Sequence, residues 1–123
     1  MGKPQVNEWA VIPPTMLISV AEASVGIPEL LSGHYISGFI AAGMSFVWFH
    51  IALMCMKYGV QPWRVVPALA MASALFGLRA VELVVAGHLV PAIFPVLGSI
   101  VWGIVARKSN QARKAIEAET NAR

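Results

Sequence analysis

Arg79 and Glu82 stand three residues apart in a strongly apolar stretch, Val65 to Val105. Residues three apart share a helix face, so the spacing predicts an ion pair within one helix. An isolated charge at a bilayer centre costs roughly 2.5–3.5 kcal/mol by insertion scales, and pairing lowers that cost. Two roles fit the pair. It is a polar lining for a pore, lesion or ion path, or it fixes helix register and binds a neighbouring subunit.

Three histidines, His34, His50 and His88, raise the question of haem or metal. Haem ligation by two side chains needs both at similar depth on facing helices. His34 and His88 fall near one membrane surface and His50 deeper, toward the other, so no pair is matched. His50, Met54, Cys55 and Met56 offer soft ligands, with His50 and Met54 one helical turn apart. A copper(I) site would need a further ligand that the spacing does not supply. The single cysteine excludes an intramolecular disulfide and any multi-thiolate site. Ser-His-Asp sets, phosphate loops, paired catalytic carboxylates and zinc spacings do not occur. The expectation is a protein that is not an enzyme and holds no cofactor.

These residues must be positioned by helices in lipid. Of 123 residues, 58% are apolar and only 12% charged, about half the charged share of an ordinary soluble domain. The fold class expected is all-α: three transmembrane helices preceded by an N-terminal interfacial helix, with a fourth span as the alternative. Residues 1–33 form the polar and interfacial segment. In it, a helix starting at Pro13 or Pro14 and ending near Gly26 carries acids and prolines that suit it poorly to span. Residues 34–106 form the three-span region, with spans at about 34–56, 65–86 and 89–106. Pro91 and Pro95 are expected to bend or partly unwind the first half of the last span. Residues 107–123 continue that helix as a basic tail.

Lys and Arg set the orientation. Lys57, Arg64, Arg107, Lys108, Arg113 and Lys114 gather on one side, which is therefore expected to be cytoplasmic, C-terminus included, and to meet lipid headgroups. Small residues four apart, Ser37 and Ala41, Gly38 and Ala42, Ala68 and Ala72, Ala70 and Ala74, Ser99 and Gly103, mark faces where helices approach closely, within one chain or between copies. The partners implied are the bilayer and other copies or neighbouring membrane or shell proteins. Nucleic acid is not among them, since the basic tail lacks interleaved aromatics.

Three short spans, a basic cytoplasmic tail and a polar pair inside one span resemble a class I phage holin. That resemblance implies oligomerisation in an inner membrane and lesions that release lytic enzymes. Locally, Gly33-His34-Tyr35-Ile36-Ser37-Gly38 and Gly77-Leu78-Arg79-Ala80 are similar to signatures of the cytochrome b subunit of succinate dehydrogenase. Tyr35 replaces an arginine, and Ala80 stands where the haem-ligating histidine would be, so haem ligation does not carry over. The layout is also similar to small membrane proteins of lipid-containing virions and to accessory subunits of membrane complexes.

Overall fold

The computed structural model describes residues 8–122, with the side chains of Glu8 and Trp9 left aside. Four helices follow in order: α1 (Glu8–Leu31), α2 (Tyr35–Tyr58), α3 (Val66–Val85) and α4 (Leu89–Asn121). A short 3-10 turn, Pro62–Arg64, precedes α3. There is no strand among the described residues. All four helices are long and apolar enough to cross a membrane, which is compatible with an integral membrane protein.

The N-terminal segment departs from expectation. α1 starts before Pro13, runs past Gly26 to Leu31, and contains Pro13, Pro14 and Pro28. Proline removes one helical hydrogen bond, yet neighbouring helices can support the interrupted turn. Here α1 packs along the length of α2. Gly26 makes that approach possible, because a Cβ there would lie 2.8 Å from the Ala42 backbone nitrogen. Prolines do not unwind α4 either. Pro91 sits in the first turn, where backbone N–H groups have no helical acceptor, and Pro95 is buried within a continuous helix.

α1 and α2 form one antiparallel hairpin, and α3 and α4 a second. They share a turn. In the first, the His34 N–H donates to the Glu29 carbonyl at 2.9 Å and the Gly33 N–H to Leu30 at 3.2 Å. In the second, His88 donates to Leu83 at 2.8 Å and Gly87 to Val84 at 3.0 Å. This is the Schellman closure, which needs a left-handed residue after the helix. Gly33 and Gly87 supply it at φ 85° and 83°.

The likeness extends to the whole hairpin. At a constant offset of 54 residues, without a gap, the chain repeats Trp9 as Trp63, Val11 as Val65, Pro13 as Pro67, Ser19 as Ser73, Gly33 as Gly87 and His34 as His88. Ser45, Val47, Trp48 and Ala52 recur in the same way as Ser99, Val101, Trp102 and Ala106. The structure uses the repeated serines identically. Ser19 and Ser45 exchange hydroxyl-to-carbonyl hydrogen bonds across α1 and α2, 2.8 Å each way. Ser73 and Ser99 do the same across α3 and α4, at 2.7 and 2.9 Å. Each pair satisfies two hydroxyls that would otherwise face apolar surroundings.

The hairpins meet through α2 and α3, where Met44, Val47 and Ile51 pack with Leu69, Ala72 and Leu75. Trp48 and Trp102, equivalent residues of the two repeats, touch edge to face with centroids 4.9 Å apart. The packing is not symmetric, however, because α2 meets α3 closely and Val47 is buried while its counterpart Val101 is exposed. The chain reads as a tandem repeat of one helical hairpin.

Candidate functional site

The duplication is broken where the charges are. Arg79 stands where the first repeat has Val25, Glu82 where it has Pro28, and Glu22 where the second repeat has Phe76. The expected pairing of Arg79 with Glu82 is not formed. Arg79 reaches across the hairpins to Glu22 on α1, 57 residues away. Its two terminal nitrogens donate to the two carboxylate oxygens at 3.2 and 3.1 Å. A guanidinium matches a carboxylate edge on, so an acceptor placed to receive both bonds outcompetes one on the same helix. The side chains are 27% and 20% exposed, so neighbouring helices shield most of the pair.

With Arg79 so engaged, Glu82 makes no hydrogen bond or ion pair to another described residue. It lies on the wall of an apolar groove of about 850 Å³ at the end of the molecule that carries the two tight turns. Leu30 of α1, Tyr35, Ile36, Phe39 and Ile40 of α2, and Leu78, Val81 and Val85 of α3 form the rest of the wall. The volume is within the range of small-molecule sites, and the lining side chains are apolar except for Glu82 and the Tyr35 hydroxyl.

The opposite end carries the cations. Lys57 closes α2 with its ammonium 5.0 Å from the Tyr58 ring centroid, and the Arg64 guanidinium lies 4.4 Å from the same centroid. Arg64 also donates to the Gln61 side chain. Arg107, Lys108 and Lys114 are exposed on α4. Arg113 donates to Asn110 at 2.8 Å and lies 3.9 Å from Glu117. A cavity of about 180 Å³ lies between the hairpins near this end, with Thr15, Trp48, Arg64 and Trp102 in its wall.

The histidines are placed apart. His34 and His88 are exposed in the two turns, and His34 Nδ1 lies 3.0 Å from Glu29. His50 is exposed on α2, and Cys55 is buried five residues further along. Among the described residues no three His, Cys, Asp or Glu side chains converge where a metal ion would fit.

The small residues divide. Gly38 is buried against Leu30, and Gly26 lies against the Ala42 backbone nitrogen and the Ala41 side chain. Ser99 pairs with Ser73, and a Cβ on Gly103 would lie 3.2 Å from the Ser73 hydroxyl. Ala70 and Ala74 instead lie exposed on α3, where no helix of this chain covers them, while Ala68 and Ala72 are the buried stripe. Sequence reasoning missed Glu22, the partner of Arg79, and the paired serines. The signal that finds the serines is the 54-residue self-similarity. No protein-family model, curated protein or solved structure matches the chain.

Proposed function

We propose that this is a non-enzymatic membrane protein of four spans. It packs laterally with copies of itself or with neighbouring membrane proteins, as a structural or accessory subunit. The observation that carries this reading is the ion pair. Arg79 and Glu22 satisfy each other within the chain and tie α1 to α3. A pair closed in this way acts as a strut between hairpins, whereas a lesion lining needs polar groups turned toward an open path.

Charge supports four spans. With α1 spanning, both termini and the loop between the hairpins share one side. Every Lys and Arg except Arg79 then falls on that side, and the turns at residues 32–34 and 86–88 carry none. By the positive-inside rule that side is cytoplasmic. The membrane is a bacterial inner membrane or the internal membrane of a virion. Ala70 and Ala74, small and exposed, offer α3 as a face for close helix approach by another copy.

Inducible expression in a bacterium separates this reading from holin-like permeabilisation. The expected result is continued growth, with the protein in the membrane fraction and released by detergent. Arg79→Ala should lower the melting temperature of the purified protein and its oligomer yield. Abrupt growth arrest after a fixed delay, shifted in time by Arg79→Ala, would establish permeabilisation instead.

A further inference from the structure

We propose that the groove at the turn end binds a cationic amphiphile, with Glu82 as counter-ion to its amine or quaternary ammonium head and the apolar wall holding its tail. The inference rests on the membrane reading above and adds a ligand to it.

The argument begins with Glu82. It shares an apolar helix with the one arginine that could neutralise it, and the fold gives that arginine to Glu22. A carboxylate in an apolar wall, with no partner from its own chain, favours a positive group from outside. Depth fits an amphiphile. Glu82 lies three residues before the end of α3 at Val85, about 4.5 Å of helix rise. The head would sit near the membrane surface, and the tail would follow Leu78 and Ile40 inward. Tyr35 and Phe39 add rings of the kind that attract quaternary ammonium groups.

Charge selects among amphiphiles. No Lys or Arg lies in either turn at this end, and His34 is already against Glu29. The phosphate of a zwitterionic lipid would find no lysine or arginine here, only the His88 imidazole in the exposed turn, and would lie close to the Glu82 carboxylate. A head with net positive charge meets only attraction. The first repeat has Pro28 where the second has Glu82, so the duplicated hairpin supplies this carboxylate once.

The test uses the full chain purified in a neutral maltoside detergent. Three probes share a twelve-carbon tail: dodecyltrimethylammonium, dodecylphosphocholine and octaethylene glycol monododecyl ether. Native mass spectrometry counts bound probe, and thermal unfolding reports its effect. The expected result is one dodecyltrimethylammonium per chain, bound about tenfold or more tightly than either comparator, with a raised melting temperature. Glu82→Gln should remove that preference while leaving the melting temperature of the ligand-free protein unchanged, because the carboxylate has no protein partner to lose. Leu78→Trp, which fills the wall, should weaken dodecyltrimethylammonium binding with Glu82 intact. Equal affinity for the three heads, or a preference that survives Glu82→Gln, would overturn the proposal. A chain that stays in solution without detergent would overturn the membrane reading first, which is a distinguishable failure.

Discussion

Arg79 on α3 and Glu22 on α1 form a two-pronged ion pair between hairpins that also meet through α2 and α3 and through Trp48 and Trp102. Removing one partner leaves the other charged and shielded from water. Either Arg79→Ala or Glu22→Ala should therefore cost about 3 kcal/mol of stability. The double variant should cost less than the sum of the two, and Glu82→Ala should cost almost nothing. Thermal or denaturant unfolding in detergent reads all four. Additive singles, or a destabilising Glu82→Ala, would mean that the pair does not form in solution.

The two serine exchanges should be energetically alike, because they occupy equivalent places in a duplicated hairpin. Ser19→Ala and Ser73→Ala should each cost about 0.6 kcal/mol, the average for hydrogen bonds between membrane helices. Their effects should add, since no described contact links one serine pair to the other. Unfolding of the two singles and the double in one detergent checks this.

Gly26 and Gly77 should respond in opposite ways. A Cβ at Gly26 would lie 2.8 Å from backbone in α2, which cannot rotate away, so Gly26→Ala should cost about 2 kcal/mol by pushing α1 from α2. At Gly77 the nearest atom is the Ser99 hydroxyl at 3.5 Å, ordinary contact distance. Gly77→Ala should therefore stabilise the protein by about 0.5–1 kcal/mol. Equal losses at both sites would contradict the described packing of α1 on α2.

Single cysteines introduced at Ser32, Gln61, Ala86 and Asn121, in a Cys55→Ala background, test the topology. A membrane-impermeant thiol reagent applied to intact cells should label Ser32→Cys and Ala86→Cys but not the other two. A tag on the N-terminus should be reached only after permeabilisation. Accessibility of that tag in intact cells would restore the three-span arrangement with an interfacial α1.

Glu22 could not be read from spacing. On the chain, Arg79 has one acid within a helical turn, Glu82, and the local rule chooses it. The choice reversed because the hairpins bring a carboxylate from 57 residues away into line with both arms of the guanidinium. Prolines misled in a related way. Pro13, Pro14 and Pro28 argue against a long helix when α1 is considered alone, but packing against α2 offsets the lost hydrogen bonds. The duplication is different in kind. Trp-x-Val-x-Pro and Ser-x-Val-Trp each occur twice at one spacing, so it is legible in the sequence. Comparing the chain with itself reveals it, and a residue-by-residue search for chemistry does not.

The sequence by itself determined the all-α class and three of the four apolar helices of membrane-spanning length, because both follow from composition and run length along the chain. It also placed the basic residues at one end, because loop charge is local information. Tertiary structure decided which charges meet, which small residues are covered, and that Glu82 stands without a protein partner on the wall of a groove. Those depend on distances between residues far apart in sequence. Helix propensity and hydrophobic periodicity specify each helix and its faces, while the partner of each face is fixed only when the four helices pack.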